Sequence, residues 1–72
     1  MDNFTLKNRL KVARAEKNLS QEELANLVGV TRQTISSIET GQYCPSALLA
    51  FQLAKKLKKP IEELFFLKGD EK

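Results

Sequence analysis

Seventy-two residues with a net charge of +3, one cysteine and no histidine describe one small domain, residues 1–72, with a thin core. A single thiol cannot form an internal disulfide, and a chain without histidine is poorly supplied for zinc, so no metal or other cofactor is expected and stability must come from helix packing, dimerisation or both. No apolar run is long enough to span a bilayer, and one thiol suits a reducing compartment, so the expected location is the cytoplasm, with no membrane partner.

The predicted elements are helical almost throughout. A first helix is expected over about Lys7–Lys17, its inner side marked by Leu6, Leu10 and Ala13, with Asn18 suited to the left-handed residue that ends it. Ahead of it, Phe4 and Leu6 alternate with Asn3 and Thr5, a slight strand signal that by itself does not build a sheet. Ser20 followed by Glu23 spells a capping box for a second helix with Leu24, Ala25 and Val28 inward, and Gly29 stops it. Thr31 caps a third helix that Gly41 terminates. After the loop QYCPS, Ser46 caps a fourth helix reaching about Lys58, with Ala50, Leu53, Ala54 and Leu57 inward. Pro60 is expected in the first turn of a short fifth helix, where Ile61, Leu64 and Phe65 close the core; the ordered body is expected over about 6–67, with residues 68–72 frayed. These elements define a compact all-α domain. If the chain's end formed a strand, Phe66 and Leu67 would pair near Phe4 in a short terminal hairpin-like arrangement.

The third helix carries an unusual face. Ile35 and Ile38 point one way, while Arg32, Gln33, Ser36, Ser37 and Thr40 occupy the opposite half. A helix surface chosen for stability and solubility is normally rich in Glu and Lys. Hydroxyl, amide and guanidinium groups instead suit DNA base edges. Arg forms paired bonds with guanine, Gln does so with adenine, and Ser and Thr bond several edges. The turn at Gly29 matches the arrangement in which one helix crosses the phosphate backbone while the next enters the major groove. Gln21 would stand at the second helix's positive end, and Thr31 and Thr34 at the start of the third, within reach of flanking phosphates. Lysines and arginines gather in residues 1–18 and 45–59; this fits a polyanion partner, although lysines also solubilise ordinary helix surfaces.

The stretch LSQEELANLVGVTRQTISSIETG, Leu19 to Gly41, resembles the helix-turn-helix of phage-repressor and Cro-type regulators, the Xre family. The likeness continues through YCPSALLAFQLAKKLKKPIEELF and back to Arg14, and the whole length resembles small cytolysin-type repressors that act as stand-alone dimers. The resemblance implies a lambda-repressor-like five-helix fold. It implies phosphate contacts at Gln21, Thr31, Thr34, Gln42 and Tyr43, and base contacts at Arg32, Gln33, Ser36 and Ser37. It also implies a largely buried ion pair between Arg14 and Glu39. The departures are Asn18, where the family often has glycine, and a readout helix without lysine, so affinity must draw on Lys and Arg elsewhere.

A lone readout helix covers few base pairs, so two are expected about one DNA turn, roughly 34 Å, apart on a pseudo-palindromic operator. Leu48, Phe51, Phe66 and Leu67 are the candidates for self-association, with core filling an equal alternative for Phe51. The expected function is a homodimeric, sequence-specific DNA-binding regulator, with repression favoured. An antitoxin that binds both operator and toxin is the alternative, and a protein-interaction module without DNA binding a third reading. Each of these residues also suits an ordinary structural role. Gln21 suits any first helical turn, the serines suit solvent, Tyr43 can pack over its loop, and Cys44 carries no sign of reactivity. Glu22/Glu23 and Glu62/Glu63 are sequence neighbours that complement helix dipoles, and no nucleophile–base pair accompanies them, so an enzyme is not expected.

Overall fold

Regular structure begins with a strand rather than a helix. In a computed structural model that describes residues 4–69, the order is β1 (Thr5–Asn8), α1 (Leu10–Glu16), α2 (Gln21–Val28), α3 (Arg32–Glu39), α4 (Ala47–Leu57), α5 (Ile61–Leu64) and β2 (Phe65–Lys68). Asn3 and residues 70–72, included in the expected strand signal and frayed tail, lie outside the described residues.

The strands form an antiparallel ribbon in which Thr5 faces Lys68, Leu6 faces Leu67, Lys7 faces Phe66 and Asn8 faces Phe65. This overturns two expectations. Lys7 and Asn8 belong to β1, so α1 is shorter than the spacing of Leu6, Leu10 and Ala13 implied, and Lys68 is paired in β2 rather than frayed. The cause is non-local. The Arg9 backbone N–H donates to the Leu64 carbonyl at 2.9 Å, while the Asn8 side chain accepts from the Leu10 N–H at 3.0 Å and so starts the helix. Beyond the paired residues, the Phe4 ring lies against Gly69 so closely that a side chain on that glycine would collide with it.

Local signals place the helix ends. Ser20 accepts from the Glu23 N–H at 3.0 Å and the Glu23 carboxylate accepts from the Ser20 N–H at 2.7 Å, a complete capping box. Thr31 and Ser46 accept from the Thr34 and Leu49 N–H groups. Asn18 ends the α1 turn with φ of 58°, and Lys58 ends α4 with φ of 56°. Pro60 is the N-cap of α5, one position earlier than expected. Gly29, at φ 76°, makes the turn from α2 to α3, a conformation that costs a side-chain-bearing residue energy.

The core gathers residues from every helix. Leu10, Leu24, Ile35, Ile38, Leu53, Leu57 and Leu64 are fully buried, with Ala13, Ala25, Leu49, Ala50, Ala54 and Phe65 completing the cluster. Leu6, Leu19, Val28, Val30 and Ile61 pack around it. Leu49 was not on the expected inner stripe; it stands one turn before Leu53, and the two small alanines, Ala50 and Ala54, widen the face that α4 buries. At the molecule's side, Lys59 pairs with Glu16 at 3.0 Å, and that carboxylate holds the lysine pKa above its ordinary value.

Candidate nucleic-acid interface

The third helix is amphipathic in the sense the sequence implied. Ile35 and Ile38 are sealed in the core, Arg32, Gln33 and Thr40 are exposed, and Thr34, Ser36 and Ser37 are half-buried. The outward flank therefore presents guanidinium, amide and hydroxyl groups, with no carboxylate among them. Glu39, the acid of this helix, turns inward, its side chain only 4% exposed.

A polar network fixes Glu39. The Arg14 Nε donates to Glu39 Oε2 at 2.7 Å, and a terminal nitrogen of the same guanidinium donates to Oε1 at 3.3 Å. Another Arg14 nitrogen donates to the Leu19 carbonyl at 2.8 Å. Gln21 Nε2 donates to Glu39 Oε1 at 3.0 Å, and Gln21 Oε1 accepts from Arg32 at 3.5 Å. The ion pair thus ties α1 to α3, and Gln21 links it to the first residue of the polar helix. Two-pronged arginine–carboxylate contacts of this kind combine charge with geometric fit.

The other candidates divide by what already occupies them. The Thr31 hydroxyl oxygen accepts from the Thr34 N–H and lies 3.0 Å from the Thr34 hydroxyl. The backbone N–H groups of Gln42 and Tyr43 both donate to the Ser37 carbonyl, at 2.9 and 3.2 Å, so these two residues have only their side chains to offer a phosphate. Both side chains are exposed in the loop that follows α3. Cys44, also exposed, makes a long contact to the Pro45 carbonyl at 3.8 Å.

Asn8 was missed by sequence reasoning. Its Nδ2 donates to the Ile38 carbonyl at 2.9 Å while its Oδ1 holds the α1 N-terminus, so one side chain joins the ribbon to the last turn of α3. An asparagine before a helix announces a cap, but nothing in the sequence says which distant carbonyl the amide will meet. Asn8→Ala should lower stability by about 1–3 kcal/mol, because it strands a part-buried N–H at α1. Urea unfolding measures this, and an unchanged midpoint would count against the latch.

The self-association candidates do not form one patch. Leu48 and Phe51 are 70% and 58% exposed, three residues apart on the outer side of α4, so Phe51 does not fill the core. Leu67 is likewise exposed, but Phe66 is its strand neighbour and faces the opposite side of the ribbon, half-buried with the Arg9 guanidinium 4.6 Å from its ring centre.

A short helix packed across the base of a second helix whose free flank is hydrogen-bonding throughout is a helix-turn-helix. The family profile described as helix-turn-helix matches residues 10–64, and the chain belongs to that family, a class of DNA-binding transcriptional regulators and not of enzymes. It is 52% identical over 66 residues to an HTH-type transcriptional regulator of Methanocaldococcus jannaschii, covering 92% of this chain and all of that one. It is 37% identical over 57 residues to the transcriptional repressor RstR of the cryptic phage CTXphi of Vibrio cholerae, covering 79% of this chain and 51% of RstR. The crystal structure of the restriction-modification controller protein C.AhdI from Aeromonas hydrophila superposes with a TM-score of 0.74 at 40% identity, over 79% of this chain and 83% of that one. No helix among the described residues is long and apolar enough to cross a membrane.

Proposed function

We propose that the protein is a homodimeric repressor that binds a pseudo-palindromic operator with α3 in the major groove. The observation that carries this reading is the division of α3: its isoleucines and its carboxylate are inside, and its guanidinium, amide and hydroxyl groups are outside. Arg32, Gln33, Ser36 and Ser37 read base edges. Gln21, Thr31, Thr34, Gln42 and Tyr43 lie along the flanking backbone, where hydrogen bonds position a protein without reading sequence. Basic residues outside α3, among them Lys7, Arg9 and the lysines of α4, supply the long-range attraction. Leu48 and Phe51 form the centre of the contact between copies, with the exposed Leu67 on the ribbon as a further contact. The likeness to a phage repressor and to a restriction-modification controller supports regulation by occupancy of an operator.

Selection of bound sites from random duplexes tests the proposal. The expected product is two inverted half-sites about 10 base pairs apart, bound with an affinity that falls steeply as salt rises. Absence of any enriched sequence would overturn it. In the same assay Arg32→Ala should cost about 1–3 kcal/mol and relax preference at one base pair per half-site. Equal losses on all sequences would make Arg32 a backbone anchor instead.

A further inference from the structure

We infer that the groove between α1 and α5 binds a free α-amino acid with a small aliphatic side chain, its carboxylate on Arg9, its ammonium on Glu63 and its side chain over Val12, Ala13 and Leu64. No residue of α3 lines this groove, and nothing about DNA reading is needed for the ligand to bind.

Two contacts set the shape of the groove. The Arg9 backbone N–H donates to the Leu64 carbonyl at 2.9 Å, and Lys59 pairs with Glu16 at 3.0 Å. The start of α1 therefore lies beside the end of α5, and the end of α1 beside the residue that precedes Pro60, so the two helices run antiparallel. Arg9, Val12, Ala13 and Glu16 follow one another at helical spacing along one side of α1. They form one wall, Lys59, Glu63 and Leu64 form the other, and the cavity between them measures about 150 Å³.

The charges divide by end. At the far end Lys59 and Glu16 neutralise one another. At the near end stand Arg9 and Glu63, one cation and one carboxylate, and neither has an ion-pair partner among the described residues. The Arg9 guanidinium lies over the Phe66 ring, 4.6 Å from its centre, rather than against Glu63. Between the two ends the surface is apolar. Ala13 and Leu64 are buried, and Val12 is 55% exposed, an apolar side chain that neither the core nor the contact between copies uses.

These features select the ligand. The lining carries two cations and two carboxylates, so a simple anion or cation would meet its own charge as readily as the opposite one. A zwitterion satisfies both members of the open pair. An α-amino acid carries its carboxylate and ammonium on one carbon, and so presents both to the same end of the groove with its side chain directed along the apolar surface. A cavity of this size takes an apolar group about as large as benzene. It accommodates the side chain of valine or leucine while the charged head stays beside the exposed Arg9 and Glu63, and the Lys59–Glu16 bridge closes the far end to longer side chains.

L-Leucine added to the free protein, with amide NMR shifts as the readout, is the test. Saturable shifts are expected at Arg9, Val12 and Leu64. Isocaproate lacks the ammonium of leucine, isopentylamine lacks the carboxylate, and glycine lacks the side chain. Each should bind about tenfold more weakly, the equivalent of one charge-assisted hydrogen bond or one covered side chain. Arg9→Met and Glu63→Gln should weaken leucine binding by a similar factor. The bond from Arg9 to Leu64 is made by backbone, so both variants should keep the groove, which their spectra without leucine check. Absence of a saturable shift with leucine would overturn the inference. So would isocaproate binding as tightly as leucine, which would make the groove an anion site, or leucine affinity undiminished in both variants. The truncated ligands probe the parent protein alone, so they decide the matter even where a variant fails to fold.

Discussion

Arg14→Ala should lower the unfolding free energy by about 3–5 kcal/mol, a large part of what a small domain possesses. The cost does not come chiefly from the attraction lost. The Glu39 carboxylate is 4% exposed and would keep only the Gln21 amide as a donor, so its charge would remain inside the protein without compensation. The Leu19 carbonyl would lose its arginine partner as well. Replacing both members by apolar residues of similar size, Arg14→Met with Glu39→Leu, should recover much of the stability, because no charge is then stranded. Thermal or urea unfolding of the single and paired variants provides the check. An Arg14→Ala midpoint equal to that of the parent would show that the pair contributes little.

Leu48→Asp combined with Phe51→Asp should produce a folded monomer whose operator affinity is at least about 100-fold lower. Both side chains are more than half exposed, so the changes leave the core of α4, built on Leu49, Leu53 and Leu57, untouched. Two linked readers gain from the high effective concentration of the second once the first is bound, and a monomer forfeits that gain without losing any contact to its own half-site. Sedimentation measures the oligomeric state, and duplex titration measures the affinity. A variant that stayed dimeric would move the interface to the ribbon, where Leu67 is exposed.

Much of this architecture was legible because its signals are local. Ser20 with Glu23, Thr31 and Ser46 each cap the helix that follows within three residues, so their neighbours in sequence are their neighbours in space. The α3 face was legible for a related reason: a helical period assigns Ile35 and Ile38 to one side and the polar residues to the other. The ribbon was legible only as a conditional, a slight strand signal before α1 with Phe66 and Leu67 pairing near Phe4, since its register, with Leu6 opposite Leu67, is set across nearly the whole chain. The helical spacing of Leu6, Leu10 and Ala13 concealed where the strand gives way to α1, because Leu6 packs on the core equally well from a strand. The link from Glu39 to Gln21 was similarly hidden; it exists only because α2 crosses α3 where those two side chains meet. The resemblance to the Xre family supplied Arg14 and Glu39 as a pair, but neither the third partner nor Asn8.

The pairing of Thr5 with Lys68 also bears on the order of assembly. The helices are short and their turns tight, so the interior can form through nearby encounters, whereas the ribbon has to close a loop almost as long as the protein before its first bond forms. The ribbon is therefore expected to form on the native side of the folding barrier, where weakening it speeds unfolding and hardly slows folding. Asn8 sits on that late segment and grips the end of α3. A newly made chain would thus complete its helices first and seat its reader last.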